Sequence, residues 1–194
     1  MQITYKNKKY VCDYKIWKCI QDFIKSYLSK TDFILDVGCG NGKNIKYLKE
    51  NNFTNVHGCD IDDDFIKECA EQHLNVTKCN ILNLPYANNQ FDVVLCNGVI
   101  HHLQTSEQRK CAIQEILRIS KSKSKIFLSV NSFESKYYSK ITNVQDIWIN
   151  YQDKKIFYHL YKEDELKTFL ASFDCTIIKT VNECSSLRII IEKN

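Results

Sequence analysis

Three glycines at alternate positions, Gly38, Gly40 and Gly42, follow directly on the apolar run Phe33 to Val37, whose one acid is Asp36. A run of that length reads as a buried strand, and helical spacing resumes after it to about Glu50. Glycine at these positions allows a tight strand-to-helix turn and lets a ligand come close to the backbone. The dinucleotide fingerprint G-x-G-x-x-G needs a glycine at position 43, where this chain has Lys43. The turn therefore points to a nucleotide-type fold with a different ligand.

The rest of the chain keeps the rhythm of short apolar runs alternating with helical patterns, as βαβ units require. Tyr14 to Leu28 has helical spacing. Asn55 to Asp60 and Asn75 to Cys79 read as strands, with a helix from the acidic residues Asp62 to Asp64 to about His73. Phe91 to Asn97 is a strong strand, Gln104 to Ile119 a helix and Ser124 to Val130 a further strand. Residues 132 to about 157 are polar and aromatic with no clear period, and Lys162 to Leu170 looks helical. Cys175 to Val181 and Leu187 to Ile191 close the chain as a hairpin, which places the last strand antiparallel. The expected fold is α/β and Rossmann-like, a seven-stranded, mostly parallel sheet with the last strand antiparallel. At 194 residues it is expected to be one domain, 1–194, with an N-terminal helical segment over 1–30 and a substrate-side insertion over 132–160.

A net charge of +4 permits a phosphate-bearing partner without demanding one. Basic residues are densest from Arg109 and Lys110 through Arg118 to Lys121, Lys123 and Lys125, which reads as a solvated helix face and turn. The ten cysteines are scattered without a Cys-x-x-Cys pair, so they read as reduced and structural, with no metal site. No run reaches membrane-spanning length and the N-terminus has no apolar leader, so the expected location is cytosol or nucleus, with no membrane partner.

Asp36, two residues before the first glycine, suits a ligand with a cationic amino group, such as the methionine end of S-adenosylmethionine. Asp60 ends the second strand about 20 residues on, where one carboxylate can accept both ribose hydroxyls of an adenosine. Helix capping is the alternative role for Asp60, although Asp62 can serve there.

With D-V-G-C-G-N-G-K from Asp36, G-C-D-I from Gly58 and L-P-Y-x(4)-F-D-V-V-L from Leu84, the chain resembles class I S-adenosylmethionine-dependent methyltransferases. The resemblance implies S-adenosylmethionine as cofactor. Asp36, Gly38, Cys39 and Gly40 would hold its methionine portion and Asp60 the ribose, Asn80 and Ile81 would flank the adenine, and Ile61 is also cofactor-binding. Cys96, at the end of the fourth strand, joins this cofactor-binding set. Many relatives carry an acid where this chain has Asn80, which can meet adenine through its oxygen at N6 or its amide at N1.

Three stretches are similar to the eukaryotic tRNA wobble-uridine carboxymethyl methyltransferases, including the methyltransferase domain attached to an AlkB-like oxygenase. They are Asp36 to Lys43; Leu82 to Tyr86 with Phe91-Asp92 and Val99-Ile-His-His-Leu103; and Phe157-Tyr-His-Leu-Tyr161 with Glu165-Leu166. Tyr14-Lys15-Ile16-Trp17 is a weaker echo. The likeness implies tRNA as substrate and a small zinc-binding activator subunit as partner, the metal belonging to that partner. His101, Tyr158, His159, Tyr14 and Lys15 are the implied substrate-binding residues, with His101 the best candidate for positioning. Departures fall on the presumed RNA side: Cys12-Asp13 replaces a Thr-Arg pair, Ile156 a common Arg, and Ser185-Ser186-Leu187 an Asp-Asn-Trp.

The implied acceptor is a carboxylate, nucleophilic without losing a proton near neutral pH, so the chemistry requires no general base. His102 is read as packing or capping, and His159 as either a buried histidine bonded to backbone or a substrate contact. Tyr137, Tyr138 and Trp148 either stack on bases or pack a lid. Two other functions stay open: a small-molecule methyltransferase, and a catalytically silent cofactor-binding paralogue that regulates a partner.

Overall fold

A computed structural model describes residues 2–4, 16–135, 138, 143–151, 154–183 and 185–194. Its main sheet has seven strands: β2 (Ile34–Val37), β3 (Val56–Asp60), β4 (Val76–Lys78), β5 (Phe91–Asn97), β6 (Ser120–Asn131), β9 (Cys175–Glu183) and β10 (Ser186–Lys193). The spatial order is β4-β3-β2-β5-β6-β10-β9, and β10 is antiparallel to both its neighbours. That orientation has a simple cause. Two residues separate β9 from β10, whereas a parallel return needs a crossover of a dozen or more.

Helices α1 (Lys18–Tyr27), α2 (Lys43–Glu50), α3 (Asp63–Glu71), α4 (Ser106–Ile119) and α5 (Glu163–Leu170) cover the sheet. Along β5, Val93 and Leu95 join the α1–α2 core while Val94 and Cys96 join the α4–α5 core. Phe127 and Ile190 face the first side, and Ile126, Leu128, Ile189 and Ile191 the second. Strands with period-two side chains and both faces covered read as unbroken apolar runs, which is why sequence alone locates them.

Asp92 ties the lower edge together, accepting the Phe33 N–H at 3.0 Å and Lys121 Nζ at 2.8 Å. Arg118 staples the 84–88 loop to α4 by donating to the Leu84, Tyr86 and Asn88 oxygens and to Glu115. Lys123 and Lys125 pair with Glu192, and Arg109 donates to the Leu103 and Gln104 carbonyls. Five of the six basic residues from 109 to 125 thus make contacts within the chain, while Lys110 and Lys123 stand exposed as a solvated face has them. The eight described cysteines carry no disulfide.

Two segments differ from the sequence expectation. Residues 2–4, expected within a helical segment, form a strand, β1 (Gln2–Thr4), parallel to β7 (Asp146–Tyr151). A run of three residues is too short to show a period. β7 pairs antiparallel with β8 (Lys154–His159), so the 132–160 segment contains a hairpin rather than irregular chain. Ile147 and Ile149 point inward while Asp146, Trp148 and Asn150 point out, and the aromatic Trp148 on the outer face blurs the alternation.

Candidate functional site

Asp36 is 1% exposed at the carboxyl end of β2, and the chain beyond it turns through Gly38, Gly40 and Gly42 at φ of +68°, +53° and +74°. The glycines do different work. A Cβ on Gly38 would lie 2.2 Å from Val99 Cγ2, so this position is needed for packing. A Cβ on Gly40 would meet nothing within 4 Å, so there the turn borders open space in which a ligand can lie.

Asn44 Nδ2 donates to Asp36 Oδ2 at 3.1 Å. Asp36 Oδ1 and Asn44 Oδ1 are both buried and, among the described residues, neither has a hydrogen-bond partner. Burial pushes the Asp36 carboxyl up to about 7, the Asn44 bond opposes it, Asp60 repels the charge and Lys43 favours it. Two adjacent orphaned acceptors, one of them an oxygen of the Asp36 carboxyl, fit a cationic group rich in N–H donors, as an α-ammonium is.

Asp60 is already oriented. The Gly40 N–H donates to its Oδ2 at 2.8 Å and the Asp62 N–H to its Oδ1 at 3.0 Å. Each oxygen keeps a further lone pair for a hydroxyl. Asp62 caps α3 through the Asp64 N–H, so capping does not require Asp60. Ile61, beside it, is 61% exposed, an apolar surface a flat ring would cover. Asn80 is exposed and its Oδ1 accepts the Leu82 N–H at 3.0 Å, which leaves its amide nitrogen as the better-placed group for an adenine edge. Ile81 is buried beneath it. Cys39 is buried, and its thiol and that of Cys69 both donate to the Gly40 carbonyl, at 3.7 and 3.3 Å. Cys96 is wholly buried in the α4–α5 core opposite Val37, so its side chain packs the sheet.

The turn after β5 (Ile100–His102) brings His101 and His102 against Tyr158 of β8. His101 stacks on Tyr158, ring centroids 5.5 Å apart and 13° between planes, and Tyr158 meets His102 edge-on at 4.6 Å. His101 is 4% exposed; burial, then His102 and His159, hold it well below the usual imidazole range. Its Nδ1 accepts the Asn131 N–H at 3.3 Å, so the neutral ring carries its proton on Nε2. His101 is therefore built as a hydrogen-bond donor. His102 Nδ1 faces the Phe157 carbonyl at 2.9 Å, and burial lowers its pKa, so it packs the hairpin.

His159 is buried, as one of its two expected roles has it, but its partners are side chains and not backbone. Its two ring nitrogens are taken by side chains, Nδ1 by Asp146 Oδ1 at 2.6 Å and Nε2 by Glu165 Oε1 at 2.8 Å, and neither is left for a substrate. Tyr138 is buried and accepts Asn131 Nδ2 at 2.9 Å, while Trp148 packs edge-on against Phe157. Both pack the lid. Tyr14, Lys15 and Tyr137 lie outside the described residues. Sequence reasoning missed Asn44, Asn131 and Asp146; an asparagine in the first turn of the helix after a glycine loop was the one available signal.

A family model described as a methyltransferase domain matches residues 35–128. Among curated proteins the chain is 36% identical to a Xenopus tropicalis tRNA (carboxymethyluridine(34)-5-O)-methyltransferase, over 62% of this chain and 19% of that protein. It is also 36% identical to the Arabidopsis thaliana protein of the same activity name, over 65% of this chain and 30% of that one. The chain thus spans less than a third of either relative. A putative methyltransferase of Encephalitozoon cuniculi is 27% identical over 91% of this chain and 86% of its own length. Among solved structures, a SAM-dependent methyltransferase from Methanosarcina mazei superposes with a TM-score of 0.77 at 21% identity, covering 92% of this chain and 98% of that one.

Proposed function

We infer that this chain is a class I S-adenosylmethionine-dependent methyltransferase, a reading supported by the methyltransferase-domain match and the shared fold, and that it methyl-esterifies the carboxymethyl group of a tRNA wobble uridine. The observation that carries the reading is the cluster of His101, His102 and Tyr158 at the carboxyl edge of β5, within the His-His and Tyr-His stretches that resemble that enzyme family. The names of the Xenopus and Arabidopsis relatives support it.

Asp36 and Asn44 would hold the cofactor's ammonium, Asp60 its ribose hydroxyls, and Ile61, Ile81 and the Asn80 amide its adenine. When bound, S-adenosylmethionine supplies an electrophilic methyl on a sulfonium. The acceptor carboxylate would already be anionic near neutral pH, so the chain would need to supply alignment and no base. The Nε2–H of His101 donates to the acceptor and aligns it. The reading includes a small zinc-binding activator subunit and a cytosolic or nuclear place of action.

Internal use of Arg109, Arg118, Lys121, Lys123 and Lys125 favours one second reading, transfer to a small molecule that needs no basic surface. Labelled S-adenosylmethionine with tRNA lacking only the terminal methyl ester, with and without the activator subunit, separates the two. Base-labile label on the wobble nucleoside is the expected result. Measurable cofactor binding with no transfer under either condition would overturn the tRNA reading.

A further inference from the structure

We infer that His159, held between Asp146 and Glu165, is a positioning residue that docks the β7–β8 hairpin and so sets Tyr158 against His101. The inference rests on the methyl-transfer reading for its purpose, but its geometry is independent of the substrate.

His159 ends β8, directly opposite Asp146 at the start of β7, and is 6% exposed. Its ring bridges three elements, β7 through Asp146, β8 through its own backbone, and α5 through Glu165. Each ring nitrogen meets a carboxylate oxygen, so the ring is held at both ends. The other oxygen of Glu165 accepts the Lys162 N–H at 3.2 Å and the Gln145 side-chain amide. Tyr161 packs edge-on against the imidazole at 4.5 Å. From there the Tyr161 N–H donates to the Asn131 carbonyl at 2.9 Å, and the Asn131 N–H donates to His101.

The consequence for Tyr158 follows from strand geometry. Successive side chains on a strand point to opposite faces. Anchoring His159 on one face fixes the rotation of β8 about its axis, and Tyr158 must then present its ring on the other face. That face is the one against His101 and His102. The paired occurrence of Tyr158-His159 and Glu165 in the sequence is thereby accounted for as one contact, with only one of the three residues, Tyr158, facing the site.

The test uses Glu165→Gln and Asp146→Asn, singly and together. Glutamine keeps an oxygen for the Lys162 N–H, and so the start of α5, while removing the charge. Hydrogen exchange over residues 146–159 should rise ~tenfold in the double variant, with residues 34–60 unchanged. In spectra of the five histidines, the His101 ring protons should lose the shift that the stacked Tyr158 ring imposes. If wild-type transfer is established, the acceptor KM should rise while cofactor affinity stays within about twofold. An unchanged His101 signal with the hairpin still protected would overturn the proposal, as would exchange rising uniformly through 34–60. Neither readout needs an acceptor, so failure of wild-type transfer strikes the tRNA reading alone.

Discussion

The backbone N–H of Gly40 donates to Asp60 Oδ2 at 2.8 Å, joining the glycine turn after β2 to the acid that ends β3. One carboxylate thereby shapes the loop and is itself aimed. Replacing Asp60 with Asn sets an amide NH2 against one of the two N–H donors, Gly40 or Asp62. We expect cofactor affinity to fall by roughly 10- to 100-fold, with stability lowered by about 1 kcal/mol. Calorimetric titration and a thermal melt would measure the two effects separately.

Cofactor binding should depend on pH through Asp36. Its carboxyl titrates at about 7, well above the ordinary 3.8, because burial disfavours the charge. The folded chain then holds this proton more tightly than the unfolded chain does. Asp36 therefore favours folding most at low pH, and its contribution is lost as pH rises through about 7. The ammonium of the cofactor prefers the carboxylate, so affinity should tighten with rising pH, level off above about 7, and weaken about tenfold per unit below it. Asp36→Asn should bind weakly with a flat profile.

Two glycines should fail differently. Gly38→Ala drives a methyl into Val99 at 2.2 Å and holds it at positive φ, and should cost about 3 kcal/mol of stability. Gly40→Ala meets no protein atom within 4 Å, so it should fold with a loss of about 1 kcal/mol yet bind cofactor poorly. Equal loss of folding in both would refute the assignment of open space to Gly40.

Arg118→Ala should destabilise the protein by about 2–3 kcal/mol, because it strands Glu115 and frees the Leu84 and Tyr86 carbonyls. Arg118 holds the Glu115 carboxyl below its usual range, with burial opposing. Stability from this pair is thus present above the unfolded pKa of Glu115 and lost as pH falls through the lower, folded value. Acid unfolding curves should show a shallower slope in the variant.

Much of the main sheet is legible in the chain because its strands are covered on both faces. Phe91–Asn97 matches the expected run end to end, while β6 begins four residues earlier, at Ser120, where alternating Lys and Ser hide a strand. The β7–β8 hairpin escaped because Trp148 on its outer face mimics an inward residue.

The residues by themselves determined the strand–glycine turn–helix succession, the acid at the end of β3, and the antiparallel last strand, since each follows from local conformational limits or a link of two residues. Tertiary structure alone decided which charges remain free, which oxygen of Asp36 lacks a partner, and which nitrogen of His101 carries the proton. Those depend on burial and on partners far along the chain, Asn131 being 30 residues from His101. A hydrogen-bond partner supplied by packing leaves no periodic trace in the sequence.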